Sequence, residues 1–393
     1  MAVRRQVTAQ ERAARAARRL VGRGAAGAEE VTRSLVALHA TDPATVFLSV
    51  DARLARPEGS IEAVQEALYG PEAPLVRMLA MRRTMFVVTR DVAPDVYAAA
   101  GRPIAANERR KLLVHLAEGG GWDEKWLAAA EEAVEAALAE RGELSGAELS
   151  KLVPQLREQV VVARGKPYEA TQNVASRIIR TMAAENRIER RRPVGTWTSS
   201  QFRWAPARPL EERPAEDARA AVVRAWLGAY GPGTEADLKW WTGWTLTAVR
   251  KALAAVGAEQ VGLDTGAGPA TGYVLPGDAG PLEAPRPAAA LLPALDPAPM
   301  GWQDRDWFLP QEHRAALFDR TGNVGPTVWW GGEVVGGWGQ LADGTVVWRQ
   351  LADRGKQAAA AVDRAAAELT ARLGGVRITP RFRTPLEREL ASA

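Results

Sequence analysis

An amphipathic helix that runs directly into a basic hairpin constrains the fold of this chain more than any other feature. In residues 171–206 the apolar side chains Val174, Ile178, Ile179 and Met182 recur at helical spacing, which predicts one buried face. The sequence that follows, IERRRPVGTWTSSQFRWAP, is typical of a strand, a turn and a second strand. This order predicts a winged helix, a helix-turn-helix variant with a recognition-type helix and a hairpin as its wing.

Arginine is concentrated in this unit and in an earlier hairpin. The chain contains 44 Arg and 7 Lys, and residues 1–212 hold 32 basic against 27 acidic side chains, compared with 19 against 20 in residues 213–393. Such clusters favour a polyanionic partner, because neutralising phosphates drives affinity for nucleic acids. A surface hairpin kept soluble by its arginines is the alternative. The predicted contacts to double-stranded DNA are Arg82, Arg83, Arg177, Arg180, Arg190, Arg191, Arg192, Arg203 and Trp197.

The same order of helices and hairpin is predicted twice more. An early copy has helical spacing followed by the strand-like end of residues 75–89, with predicted helices at 8–21, 27–40, after Pro43 and at Ser60–Tyr69. A later copy has Thr234 as a helix cap, with helices at 217–230 and 246–256 and strands at 259–263 and 272–275.

Beyond residue 276 the pattern changes to short β segments between glycine turns, with a helix at 356–373 and a final strand at Val376–Ile378. The predicted fold class is therefore α+β, with tandem winged helices followed by a C-terminal β-rich half-barrel with helical cover. The predicted domains are residues 1–100, 101–210, 211–280 and 281–393.

Composition argues against several kinds of site. The absence of cysteine excludes disulfides and thiolate zinc sites, and a metal site built from histidine would need His39, His115 and His313 together. We expect His115 at a core or boundary position and His313 in solvent. No phosphate-binding or dinucleotide-binding glycine motif is present, so neither a metal nor a cofactor is expected.

No apolar run is long enough to span a bilayer, and no secretion signal or coiled-coil heptad is found. A monomer in the cytoplasm, associated with the nucleoid, is expected.

One short motif, VALHATDPATVFLS, holds the candidate catalytic residues. His39 is predicted to end an apolar helix, and Thr41 and Asp42 follow within three residues. Histidine is the side chain best suited to accept or position a proton near neutral pH. The alternative is a histidine at a helix end, with Thr41 and Asp42 capping the next helix before Pro43.

Five segments of the chain resemble the AlkZ/YcaQ family of winged-helix DNA glycosylases. They are LVALHATDPATVFLSVDARL, RMLAMRRTMFVVT, LLPALDPAPMGWQDRDWFL, FDRTGNVGPTVWWGGEVVGGW and TPLEREL. The resemblance covers nearly the whole chain, and several segments are specific in order and spacing. It implies tandem winged helices and a C-terminal β-rich domain arranged as a concave shell around duplex DNA. It also implies hydrolysis of the glycosidic bond of bulky alkylpurines, including lesions made by genotoxic natural products of actinomycetes.

The chain departs from this family at the catalytic motif, which is Gln–apolar–Gln, or Gln–apolar–Asp in the YcaQ branch. The matching triplet here is His39–Ala40–Thr41. Alkylation at position 7 makes guanine cationic and a good leaving group, so a site needs only to hold a water and stabilise oxocarbenium-like charge. We expect neutral His39 to accept a proton from that water, Thr41 to orient it and Asp42 to stabilise positive charge.

Three functions follow from these observations. The first is a monofunctional DNA glycosylase that removes bulky alkylated purines of the 7-alkylguanine type from duplex DNA, for repair or for self-resistance in an antibiotic producer. The second is a non-catalytic winged-helix DNA-binding protein, either a transcription regulator or a lesion binder. The third is a scaffold whose β domain binds protein.

Four polar residues of that domain either face DNA or form turns, namely Asp296, Asp304, Arg305 and Asn323.

Overall fold

The computed structural model describes residues 5–22, 24–162, 165–167 and 169–392. The chain begins with a short strand and a helix that Thr8 and Glu11 stabilise through a capping box. These elements are β1 (Gln6–Val7) and α1 (Ala9–Ala16), which a π-helical turn extends over Ala17–Val21. The fold that follows is mixed α+β, as expected from the sequence.

A first unit of helix, strand, two helices and hairpin follows. Its three strands form an antiparallel sheet in the order β2-β4-β3, so the first strand adds to the free edge of the hairpin. The elements are α2 (Ala28–Ser34), β2 (Leu38–His39), α3 (Pro43–Asp51), α4 (Ser60–Tyr69), β3 (Leu75–Ala80) and β4 (Thr84–Thr89).

The predicted helix over residues 27–40, with His39 at its end, is wrong in its second half. Helix α2 ends at Ser34, and Val36 has a φ of 65°, a left-handed conformation that no α-helix continues through. His39 then pairs with Phe86 of β4, where the hairpin offers unpaired backbone groups to the incoming chain. The apolar spacing of residues 27–40, which predicted one continuous helix, therefore belongs to a shorter helix and an edge strand that follows it.

A second unit repeats this order after a helical connection. Its strand order, β5-β9-β8, matches that of the first unit, and an additional hairpin, β6-β7, is inserted before its last helix. The predicted buried face of that helix is confirmed, since Val174, Ile178, Ile179 and Met182 all lie in the core of this unit. The elements are α5 (Ala93–Val96), α6 (Arg102–Gly120), α7 (Glu124–Arg141), β5 (Leu144–Ser145), α8 (Gly146–Leu152), β6 (Gln159–Val162), β7 (Ala170–Asn173), α9 (Ala175–Ala184), β8 (Ile188–Pro193) and β9 (Phe202–Pro206).

A third unit has the same order, with a single bridge between Gly233 and Tyr273 in place of the first strand. Thr234 caps its second helix, as predicted. Strand β1 returns from the start of the chain to extend the hairpin in parallel. The elements are α10 (Ala215–Tyr230), α11 (Glu235–Thr242), α12 (Leu246–Ala255), β10 (Glu259–Thr265) and β11 (Gly268–Val274).

The C-terminal part is an antiparallel sheet of four strands in the order β12-β13-β14-β15, accompanied by helices. The predicted strand at Val376–Ile378 is wrong. The Gln340 side chain bonds the carbonyl of Val376 at 3.1 Å and the amide of Ile378 at 2.8 Å, so a side chain takes the place of a strand partner. The elements are β12 (Ala289–Leu292), α13 (Arg314–Leu317), β13 (Thr327–Trp330), β14 (Glu333–Gln340), β15 (Val346–Gln350), α14 (Lys356–Leu373) and α15 (Pro385–Ala391).

One apolar core joins the first unit, the third unit and the C-terminal sheet. Phe86, Trp226 and Trp329 are members of this core, whereas the second unit has a core of its own. Trp197, at the tip of the β8-β9 hairpin, packs on Phe47 of α3 with ring centroids 5.0 Å apart. The second unit is thus docked on the first, and a cavity is left between them.

Candidate DNA-binding and active site

The cavity between the first and second units has a volume of about 500 Å³. Strands β3 and β8 and helices α6 and α9 supply most of its wall, and the segment before α15 supplies one further residue. Basic side chains outnumber acidic ones in the lining, and they are Arg77, Arg83, Lys111, Arg177, Arg180, Arg190 and Arg381. The two acidic residues of the lining are Glu108 and Glu189.

Both lining carboxylates are already shared between cations. Glu108 accepts hydrogen bonds from Arg83 at 2.7 Å and from Lys111 at 3.3 Å. Glu189 faces Arg90 at 3.0 Å and Arg191 at 3.3 Å, and neither of these arginines borders the cavity. The remaining lining arginines therefore give the cavity a positive surplus that favours an anionic ligand.

Two of these arginines lie beside one aromatic ring. The guanidinium carbons of Arg77 and Arg190 lie 5.1 Å and 5.3 Å from the centroid of Phe202. Burial lowers the pKa of Arg190 to about 10, and the neighbouring Arg77 and Arg180 add to this effect. Arg190 nevertheless remains protonated at neutral pH.

Thr41 brings the candidate catalytic motif to the cavity. It is half-buried and borders the cavity directly. The backbone amide of Ala40 donates to the carbonyl of Met85 at 2.8 Å, which ties the motif to the hairpin of the first unit. The third residue of the His39–Ala40–Thr41 triplet thus lies at the edge of a basic cavity.

His39 lies outside this lining and is buried, with 6% of its surface exposed. Its ring packs edge-on against Phe86 at 5.3 Å between centroids. Burial lowers the pKa of His39 to about 3, with a smaller contribution from the positive charge of Arg82. The imidazole is therefore neutral at physiological pH, and its Nδ1 atom has no hydrogen-bond partner in the part of the chain that the structure describes.

Asp42 is buried and caps helix α3. One carboxylate oxygen accepts from the amide of Ala44 at 3.1 Å, and the other accepts from the amide of Arg381 at 2.9 Å. Burial raises the pKa of Asp42, although these two amides oppose the shift. The geometry is that of the capping alternative, and it fixes the segment around Arg381 beside the cavity.

The predicted DNA-contacting residues divide into two groups. Four of them, Arg83, Arg177, Arg180 and Arg190, come together in the cavity lining. Arg82 is drawn away from the cavity, because its guanidinium carbon lies 4.2 Å from the ring centroid of Trp240 in the third unit. Burial there lowers the pKa of Arg82 to about 10.

The remaining four lie in the β8-β9 hairpin and outside the cavity. Arg191 bonds Glu143 at 2.8 Å, and Arg203 bonds Glu148 at 3.2 Å. Arg192 is exposed, with its guanidinium carbon 5.8 Å from the ring of Tyr69. Trp197 is engaged with Phe47 as described above, so its indole serves packing between the two units.

The polar residues of the C-terminal part serve packing and turns. Asp296 is fully buried against Arg53, and Arg305 is buried with its guanidinium carbon 4.7 Å from the ring of Trp240. Asp304 lies 3.5 Å from Arg12, and Asn323 closes a turn on Asp319 at 2.9 Å.

The two other histidines do not enter the cavity lining. His115 lies at a boundary position, as expected. His313 is half-buried, so its predicted position in solvent is only partly right.

Among the basic residues of the lining, sequence reasoning missed Arg77, Lys111 and Arg381 as site residues. Arg77 belongs to the acid-free stretch of residues 77–90, and that clustering was the available signal. Lys111 and Arg381 carried no local signal, because tertiary packing alone brings α6 and the segment before α15 to this cavity.

Membrane-spanning helices and metal-binding clusters are both absent from the residues within the described ranges. No helix there has the length and apolar character needed to cross a membrane. Those same ranges hold no group of three or more His, Asp or Glu side chains placed to bind a metal ion.

The chain belongs to the AlkZ-like DNA glycosylase family. A model of that family, described as DNA glycosylase AlkZ-like, matches residues 32–372. Proteins of this class are hydrolases that act on DNA in DNA repair, and DNA is their substrate.

Among solved structures, the DNA glycosylase AlkZ of Streptomyces sahachiroi is similar to this chain, with 21% identity and a TM-score of 0.67. The alignment covers 95% of this chain and 99% of that one, so the likeness in fold extends over both. No curated protein sequence matches significantly.

Proposed function

We propose that this protein hydrolyses the N-glycosidic bond of bulky alkylated purines, of the 7-alkylguanine type, in duplex DNA. The observation that carries the proposal is the position of Thr41. It belongs to the triplet that corresponds to the family's catalytic motif, and it borders a large cavity lined by basic side chains. A polyanion is attracted to such a surface, and a volume of about 500 Å³ accommodates a large substituent on the base.

The proposed reaction is a simple hydrolysis. A water oxygen forms a bond to the anomeric carbon while the bond from that carbon to the base nitrogen breaks. The electron pair of the broken bond neutralises the cationic 7-alkylguanine, and the proton of the attacking water passes to solvent. Because the leaving group is already charged, correct placement of the water is the main requirement. The hydroxyl of Thr41 accepts a hydrogen bond from this water and orients it.

His39 and Asp42 have supporting roles in this proposal. The buried Nδ1 atom of neutral His39, which has no partner among the described residues, is a potential hydrogen-bond acceptor, and this parallels the hydrogen bonding of a glutamine. With a pKa of about 3 it is a weak base, so it positions groups and does not hold a proton. Asp42 holds the start of α3 and the segment at Arg381 together, and so fixes the backbone next to Thr41.

The architecture supports this function. The order of helix, strand, two helices and hairpin occurs three times in the chain. We assign each of the three units as a winged helix, with α9 as the recognition-type helix of the second unit. The C-terminal sheet is the β-rich half-barrel of this arrangement. We propose a monofunctional enzyme that acts as a cytoplasmic monomer in repair or in self-resistance to a genotoxic natural product.

A base-release assay tests the proposal. Duplex DNA carrying either a bulky 7-alkylguanine or 7-methylguanine is incubated with the wild type, with Thr41→Val and with Thr171→Val. The Val substitution keeps the shape of Thr41 and removes its hydroxyl, whereas Thr171 lies on the exposed strand β7 and serves as the matched control. We expect release of the bulky base by the wild type and the control, and release slower by about tenfold or more in Thr41→Val.

A non-catalytic lesion binder is the second candidate. The burial of His39 and the capping role of Asp42 favour it, because they leave one residue of the motif at the cavity. Tight, salt-sensitive binding of alkylated DNA without base release would establish this function and contradict the first. Faster release of 7-methylguanine than of the bulky base would contradict the assigned substrate.

A further inference from the structure

Arg77, which is buried, and Arg190, which is half-buried, form a pair of cations in the wall of the cavity. Arg77 projects from β3 and Arg190 from β8, and both guanidinium groups lie against Phe202 of β9. Arg77 is 5% exposed, and its Nε atom has one long contact, 3.4 Å, to the hydroxyl of Tyr69. Neither of its Nη atoms has a hydrogen-bond partner among the described residues.

The buried charge of Arg77, with the half-buried charge of Arg190 beside it, is costly without a counter-ion. An unpaired ion in a protein interior loses favourable solvation even after its surroundings relax. The nearest candidates for compensation are the lining carboxylates, but Glu189 is held by Arg90 and Arg191, and Glu108 by Arg83 and Lys111. The pair therefore has the donors and the charge to receive an anion from outside the protein.

We propose that Arg77 and Arg190 together bind one phosphodiester group of the DNA strand that carries the lesion. This inference rests on the proposed function in one respect, namely that DNA enters this cavity. A guanidinium group presents paired N–H donors that match two phosphate oxygens, and two such groups surround one phosphate. Arg177, Arg180 and Arg381 continue the basic lining, as expected for a path that follows a nucleic-acid backbone.

The phosphate site also defines the substrate position. Thr41 borders the same cavity, so a phosphate held by the arginine pair fixes the strand relative to the hydroxyl that orients water. The phosphate offsets one of the two positive charges of the pair when DNA is bound, which lowers the repulsion that a cationic 7-alkylguanine would meet in an arginine-lined cavity.

Replacement of single phosphates tests the proposal. Lesion-containing duplexes with one uncharged methylphosphonate at each position around the lesion are titrated against the wild type, Arg77→Met, Arg190→Met and Arg56→Met. Arg56 is exposed and lies outside the cavity lining, so it is the matched control. We expect one methylphosphonate position to weaken binding by the wild type and the control about tenfold, and to leave the two cavity variants unchanged.

Salt dependence and stability provide further readouts. The slope of log Kd against log salt concentration is expected to fall by about one in each cavity variant. The melting temperature of Arg77→Met without DNA is expected to be equal to or higher than that of the wild type, because a buried unpaired charge is removed. A lower melting temperature together with an unchanged methylphosphonate profile would show a structural role and overturn the proposal.

Inorganic phosphate distinguishes the source of the anion. If inorganic phosphate raises the melting temperature of the wild type but not of Arg77→Met, and no methylphosphonate position matters, the site takes free phosphate and the assignment to DNA is overturned. If the single-position effect is found but the wild type releases no base, the phosphate site is supported and the glycosylase function is not.

Discussion

Arg53 and Asp296, which are 243 residues apart in the chain, form a buried bidentate ion pair. The two nitrogen–oxygen distances are 2.7 Å and 2.9 Å, and the exposed fractions of the side chains are 3% and 0%. Ser49 donates a further hydrogen bond to the same carboxylate at 2.6 Å. This pair connects the first unit, which carries Thr41, to the segment that follows strand β12 in the C-terminal part.

Loss of this pair is expected to destabilise the protein strongly. Asp296→Asn removes the negative charge and leaves the Arg53 guanidinium buried, which we expect to lower the free energy of unfolding by about 3–5 kcal/mol. The matched control is Asp91→Asn in the exposed pair with Arg33, where a loss below about 1 kcal/mol is expected. Urea unfolding followed by tryptophan fluorescence measures both, and equal losses would contradict the assignment of the buried pair as an anchor.

The buried state of His39 predicts a specific acid sensitivity. The folded pKa of His39 is about 3 against 6.5 for an ordinary histidine, so between these values the unfolded chain binds a proton that the native protein does not. Because of this difference in proton binding, the free energy of unfolding decreases as the pH falls through 6.5. The decrease from His39 is about 2 kcal/mol between pH 7 and pH 5. His39→Gln removes this contribution, so unfolding curves of the two proteins at both pH values isolate it from other groups.

The pH profile of the rate of base release is expected to show no transition near pH 6.5. His39 stays neutral across pH 5–9, and the proposed mechanism requires no protonated histidine. Single-turnover rates over that range, with DNA in the same duplex form throughout, provide the measurement. A sigmoidal rise centred near pH 6.5 in the wild type that disappears in His39→Gln would contradict a neutral, positioning imidazole.

Asp42 is expected to act through structure more than through charge at the reaction centre. Asp42→Ala removes acceptors for the amides of Ala44 and Arg381, and we expect a loss of stability of about 1–2 kcal/mol. Asp42→Asn retains one acceptor oxygen and is expected to keep base release within about fivefold of the wild type. A loss of release in Asp42→Asn as large as that in Thr41→Val, with stability retained, would instead place the carboxylate in the chemistry.

Arg82 and Arg83 are adjacent in sequence and are expected to respond in opposite ways. Arg82 packs on the ring of Trp240, so Arg82→Gln is expected to lower stability by about 1–2 kcal/mol and to alter DNA affinity little. Arg83 is exposed at the cavity, so Arg83→Gln is expected to weaken DNA binding and reduce its salt dependence without loss of stability. Thermal melts and fluorescence anisotropy on both variants provide the comparison, and identical behaviour would contradict it.

The repeated units were predictable because their signals are local. The apolar positions of α9 and the strands of the hairpin after it follow periods of 3.6 and 2 residues, which depend on nearby residues alone. The capping role of Thr234 is local for the same reason. Where the sequence prediction was wrong, a distant partner decided the outcome. His39 joined a strand because β4 offered backbone groups, and Val376–Ile378 formed no strand because Gln340 bonded its backbone.

The sequence by itself determined the mixed α+β order of helices and hairpins, the concentration of arginine in the first half, and membership of the family through its ordered motifs. Tertiary structure alone decided which of those arginines share a cavity. Arg82 and Arg83 are adjacent and both have a left-handed backbone conformation, yet Arg82 packs on the ring of Trp240 while Arg83 borders the cavity. The burial and charge environment of a side chain depend on contacts with elements that are distant in sequence. A local sequence pattern does not specify those contacts.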